Sequence, residues 1–163
     1  MKAMCLALLV LLGVASSPLL AQSCNSKIKP STPTARFTDN HDGTVTDRRT
    51  GLQWARCSLG QRLENGLCRG EAHPLPWAIV SLVMEKGWRL PTITELNSVV
   101  ELSCVEPAIN TAIFPDTLPG AYWSATRFVN KDGDYWQVNF LQGESGSEPA
   151  DTAAYVRLVR DTP

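Results

Sequence analysis

Apolar residues recur along this chain in three rhythms, and each predicts a different kind of element. Trp77, Val80, Val83 and Met84, widened by Ile79 and Leu82, fall at helical spacing. With Pro76 suited to the first helical position, they predict a helix over residues 76–86. A second stripe, Ile93, Leu96, Val99 and Val100, predicts a helix over 93–103, and Pro107 keeps it from running on. The joint between the two is a hinge. Gly87 suits a left-handed helix stop, Pro91 holds Leu90 extended, and Thr92 with Glu95 makes a capping box. Trp88 and Leu90, alternate residues of that extended link, can point into one core. Towards the C-terminus the period falls to two, with Trp136, Val138 and Phe140 alternating onto one face. Three antiparallel strands are predicted there, over 122–126, 135–140 and 154–160, with a polar loop over 142–151.

Turn chemistry organises the earlier part. Asp42-Gly43, flanked by Thr and Val, predicts a hairpin. It is not a calcium loop of the EF-hand kind. Setting Gly43 at the sixth position puts Thr38 and Arg49 where the terminal acidic ligands belong. A second turn over 47–51 leads to a short strand around 52–54. Prolines make 108–120 an irregular loop. The elements sum to an α+β fold, two helices packed on a small, twisted, mainly antiparallel sheet.

The third rhythm is an unbroken apolar run over residues 6–14. Lys2 precedes it and small residues follow, which is the pattern of a secretory signal over 1–23. The run is too short to span a membrane. A flexible tether over 24–35 and one domain over 36–163 follow from this division. Export places the domain in the periplasm or outside the cell. Cys24 at the new N-terminus raises lipid anchoring as an alternative, against which Ala21 and Gln22 weigh. Without the signal, 14 basic residues face 16 acidic ones, so there is no polybasic signature for nucleic acid. Four cysteines remain in an oxidising compartment, which allows three pairings into two bridges. Cys57 and Cys68 flank a pinched polar segment and are paired with each other, leaving Cys24 for Cys104. Zinc binding with His73 lacks a close cysteine pair. No metal and no cofactor are expected.

A series of motifs then carries a resemblance. It comprises Arg36-Phe37, Asp39-Asn40, Asp42-Gly43-Thr44-Val45, Asp47, Thr50-Gly51-Leu52, Trp54, Trp88-Arg89-Leu90-Pro91, Glu95-Leu96, Pro107-Ala108-Ile109-Asn110, Phe114-Pro115, Trp123-Ser124 and Val156-Arg157, with Val159-Arg160. In order and over nearly all of 36–161, it resembles the Lcl C-terminal domain family, an exported bacterial domain named for the Legionella collagen-like adhesin. The resemblance implies a C-type-lectin-like fold related to the formylglycine-generating enzymes, and an extracellular binding role, with glycosaminoglycan binding attributed to the adhesin.

Three function classes follow from these readings. The first is a non-catalytic binding domain for a glycan or for an envelope or host-surface partner. The second is a structural or assembly subunit of a secreted apparatus. The third is an enzyme of the formylglycine-generating kind, which needs a late cysteine pair, and no cysteine follows Cys104. The run 143–147 approaches G-x-S-x-G but ends in Ser147, and His41 and His73 have no neighbouring nucleophile. A sugar site combines aromatic faces with orienting polar groups. The candidates are Trp123, Arg127, Asn130, Asp132, Asp134 and Glu144, on and beside the C-terminal strands.

Overall fold

The computed structural model describes residues 21–162, so the signal read over 1–23 lies almost wholly outside the described residues. The chain forms β1 (Ser23–Cys24), β2 (Phe37–Asp39), β3 (Thr44–Asp47), β4 (Leu52–Ala55), β5 (Gln61–Glu64), β6 (Leu67–Gly70) and β7 (Leu75–Pro76). Two helices follow, α1 (Trp77–Val83) and α2 (Ile93–Ser98). The order closes with β8 (Cys104–Val105), β9 (Ala121–Arg127), β10 (Asp134–Asn139), β11 (Glu144–Pro149), β12 (Ala153–Ala154) and β13 (Val159–Asp161).

The architecture is mostly β, built from several small sheets, and this corrects the expected α+β, C-type-lectin-like pair of helices on one sheet. An antiparallel sheet of order β13-β4-β3-β2 and another of order β11-β10-β9 carry the fold, and three two-stranded ribbons, β1-β8, β5-β6 and β7-β12, complete it. Both helices are shorter than their apolar stripes predict. α1 holds three β-branched residues in seven, has no capping side chain and carries no charge in either end turn, all of which disfavour propagation. Met84 is already extended. Gly87 is left-handed, at φ +89°, but in the turn beyond rather than at the helix stop. α2 has the expected capping box, with Thr92 Oγ1 accepting from the Glu95 N–H at 3.2 Å and the Glu95 carboxylate accepting from the Thr92 N–H at 2.7 Å. It ends at Ser98 because the next residues are claimed elsewhere, Val100 by a bridge to Ile109 and Glu101 by hydroxyls.

The C-terminal strands also pair differently. The segment 142–151 contains β11, which takes the outer place beside β10. Val159–Asp161 instead joins β4 in the four-stranded sheet. Polar residues on both faces hid β11 from a hydrophobic pattern, as is usual for an exposed edge.

Apolar side chains form two cores on opposite sides of β9. Tyr122, Val138 and Phe140 join Phe37, Trp54, Leu96 and Phe114 in the larger one. Trp123, the next residue, joins Val80, Leu90, Val156 and Leu158 in the smaller one, as strand alternation requires. Leu90 is core as expected, whereas Trp88 is only half-buried, with the Arg160 guanidinium 4.5 Å from its ring centroid.

Buried polar groups tie these layers together. Arg157 is fully buried and has no ion-pair partner among the described residues. Its guanidinium donates to the carbonyls of Ala55 and Arg56 and to Thr117 Oγ1, and lies 4.9 Å from the Phe114 ring centroid. Burial pushes its pKa down. Asp47, also buried, takes a two-pronged contact from Arg36.

Glu101 anchors the segment 24–35, which the sequence casts as a tether. Its carboxylate accepts hydrogen bonds from the backbone N–H groups of Ser31, Thr32 and Ser103 and from their hydroxyls. Thr32 is fully buried. Both bridges are those expected: Cys24–Cys104 fastens the same segment, and Cys57–Cys68 pins the β5-β6 hairpin. The Cys24 sulfur, once in that bridge, cannot also carry a thioether lipid.

Burial disfavours the Glu101 anion, but the hydrogen bonds from Ser103, Ser31 and Thr32 outweigh it and lower its pKa from the ordinary 4.5 to about 2. A carboxyl depressed on folding stabilises fully above its unfolded pKa and loses that contribution as pH falls through its folded one. The window is therefore pH 4.5 down to 2, and the contribution about 3 kcal/mol. Denaturant melts across this range should lose stability steeply, and Glu101→Gln should flatten the loss. A second set of melts at neutral pH should show Thr92→Ala costing about 1 kcal/mol through the lost cap.

Candidate functional site

The β9-β10 hairpin brings Arg127, Asn130 and Asp132 to one end of the three-stranded sheet, all exposed. Gly133 turns the chain back with φ +83°. Asp134 is buried beneath that turn, where it accepts from Lys131 Nζ at 3.0 Å. Trp123 is fully buried, its indole N–H donating to the Leu75 carbonyl at 2.8 Å, so it is core and not a platform. Glu144 pairs with Asn139 at the far end of the strands, some five residues from the Asp134–Pro149 pair, about 17 Å away at the usual strand rise. The structure thus gathers three of the six candidates, places two beneath the surface and sets one apart.

Beside Arg127 lies an aromatic stack that sequence reasoning missed. The Arg127 guanidinium sits 5.8 Å from the Tyr135 ring centroid. Tyr135 in turn stacks on Trp77 with centroids 3.8 Å apart and planes at 17°. The Trp77 indole N–H donates to the Ser124 carbonyl at 2.8 Å, which fixes the ring. Trp77 looked like part of an inward helical stripe, and nothing local links it to Tyr135. The one visible signal was a helix start without a single charge from Trp77 to Met84.

Trp77 also walls a cleft of about 460 Å³ between α1, the 89–92 link, the start of α2 and β9. Met84, Leu90 and Ala125 supply more apolar wall, and Ser81, Thr92, Arg89 and Glu95 supply polar groups. Arg89 makes a fork onto Glu95, at 2.8 and 2.9 Å, and reaches Asp161 at 3.1 Å. Those hydrogen bonds raise the Arg89 pKa and lower that of Glu95. Both groups stay charged, and with Glu95 and Asp161 on one guanidinium the cleft has orienting groups but no free cation among its lining residues. A second, wider groove of about 840 Å³ lies under the β5-β6 hairpin and mixes Asp42 and Glu85 with Arg56 and Arg62.

No catalytic constellation assembles among the described residues. Ser145, within the run that approaches G-x-S-x-G, donates its hydroxyl to Asn97 Oδ1 at 2.9 Å and faces no base. His41 and His73 are exposed beside Asp39 and Glu71. No group of three His, Cys, Asp or Glu residues is placed to hold a metal, and no described helix is long and apolar enough to cross a membrane.

What remains is a small β-rich domain stapled by two disulfides, with an open, aromatic-walled cleft. Its sequence matches the family model of the Lcl C-terminal domain over residues 43–160, and the chain belongs to that family. That is an adhesin-associated family and not a known enzyme family. No curated protein and no solved structure matches the chain.

Stability separates the surface candidates from the core ones. Arg127→Ala and Asn130→Ala should each change unfolding free energy by no more than about 0.5 kcal/mol. Trp123→Ala should cost about 3–5 kcal/mol. Chemical denaturation of the three variants checks the division, and a large loss at Arg127 would mean that its side chain is structural.

Proposed function

We propose that this domain is an exported, non-catalytic binding module that recognises a glycan. The binding surface runs from Arg127, Asn130 and Asp132 across the Tyr135–Trp77 stack into the cleft bounded by Arg89, Glu95 and Thr92. The observation that carries the reading is the cleft itself, where one indole face meets a fixed Arg–Glu pair and two hydroxyls. Sugars offer an apolar C–H face to an aromatic ring and hydroxyls to such polar groups, and the volume suits one or two rings. With Arg89, the one cation lining the cleft, already matched by Glu95 and Asp161, a neutral sugar is favoured over a polyanion. Family membership supports an extracellular setting, and the two disulfides fit an oxidising one.

The outer side of α1 favours a second reading, contact with an envelope or host-surface protein. Ile79, Leu82 and Val83 are exposed at helical neighbour spacing, Leu82 by 79 %. A glycan array followed by calorimetric titration, set beside pull-down from envelope extract, separates the two.

For the glycan reading, Ala125→Leu fills the cleft from an exposed strand position and should abolish binding without lowering Tm. Arg127→Ala should weaken binding about threefold to tenfold, the loss of one exposed polar contact. Glycan binding that survives Ala125→Leu undiminished would place the site elsewhere.

A further inference from the structure

The three-stranded sheet has one closed edge and one open edge. Along β9 the outer backbone groups are taken: the Ala125 N–H donates to the Pro91 carbonyl at 2.7 Å, and the Trp123 N–H to that of Tyr155 at 3.0 Å. The Tyr155 N–H returns a bond to the Ala121 carbonyl at 2.8 Å. Among the described residues nothing pairs with the outer side of β11. Just beyond the ladder, the Ala150 N–H donates to the Gly133 carbonyl at 2.9 Å. Antiparallel alternation from that point turns the backbone groups of Glu144, Gly146 and Glu148 in towards β10. Those of Ser145 and Ser147 therefore point outward, unpaired.

We propose that β11 accepts an extended, basic segment of a partner protein as a fourth strand of this sheet. Ser145 and Ser147 offer two outward N–H groups and two outward carbonyls, the recurring basis of strand addition. Gly146 between them has open space along its Cβ direction, so the sheet face beside Glu144 and Glu148 is unobstructed there. Charge selects the partner. Glu144 and Glu148 are exposed, lie on one face and enter no ion pair among the described residues. An incoming strand with Lys or Arg four residues apart meets both acids. A second copy of this chain does not fit. The two-fold register that uses every outward group centres on Gly146 and sets Glu144 against Glu148, a like-charge pair. This surface lies apart from the cleft, and its outward groups belong to neither Arg127 nor the aromatic stack.

The test uses the exported chain labelled with nitrogen-15 and an acetylated seven-residue peptide of alternating Thr and Val with two lysines four apart. The lysine peptide should shift and protect the Ser145 and Ser147 amides. The same peptide with glutamates in place of lysines should bind at least tenfold more weakly. Ser147→Pro removes an outward donor and no ladder bond, since proline is tolerated at an outward edge position, and should cut lysine-peptide affinity at least tenfold. Glu144→Lys, at an exposed site, should do the same and serves if the proline variant fails to fold. Absent or distant amide shifts, equal affinity for the acidic peptide, or full binding by Glu144→Lys would each overturn the proposal. So would a dimer of the free chain on sizing that the lysine peptide fails to dissociate.

Discussion

A guanidinium enclosed without a carboxylate is costly unless dipoles and ring faces take over the role of water. Arg157 is held in this way, by two carbonyls at the end of β4, the Thr117 hydroxyl and the faces of Phe114 and Tyr122. Those partners come from the four-stranded sheet, from the proline-rich loop and from the three-stranded sheet. The charge gains these partners only when all three have reached their places, so it couples layers that share few strand bonds. Glu101 does the same for the N-terminal segment with the opposite sign, through hydroxyl and amide donors.

Much of this framework was legible because its residues have local signatures. The Asp-Gly turn, the short strand around 52–54, the Thr92–Glu95 capping box and both disulfide pairings were readable as turn chemistry, local pattern or cysteine spacing. The family signature is of the same kind: Asp47, Trp54, Ile109, Phe114, Trp123, Arg157 and Val159 are all buried and structural. Family membership therefore certifies the scaffold more than any ligand. Illegible were features made by distant partners. The Trp77–Tyr135 stack joins residues with no local relation, and α2 stops early because Glu101 is claimed by hydroxyls from residues 31 and 32. β11 has no apolar rhythm, so it passed for a loop.

The candidate site divides along the same line. Trp123 and Asp134 stood out as chemistry in the sequence and serve as supports, one packing the smaller core and the other holding the hairpin turn. The groups left free of structural duty, Arg127, Asn130, Asp132 and the outer side of α1, lie on surfaces that the buried residues hold in place. Rigid support beneath exposed polar and aromatic groups limits the ordering cost of binding.

The Cys24–Cys104 bridge also determines where tension would travel. It joins residues 80 apart in sequence. A pull applied between residue 21 and residue 162 passes through the sulfurs and bypasses everything from Asn25 to Ser103. The four-stranded sheet's β2, β3 and β4, both helices and the Cys57–Cys68 hairpin sit in that shielded loop. Only the chain beyond Cys104 can lengthen, and it contains the hairpin with Arg127 and the edge strand β11. A domain held under flow would thus keep most of its fold off the load path, with the cleft walls on α1 and the 89–95 segment shielded, while Arg127 and the open edge of β11 lie on the segment that bears the strain.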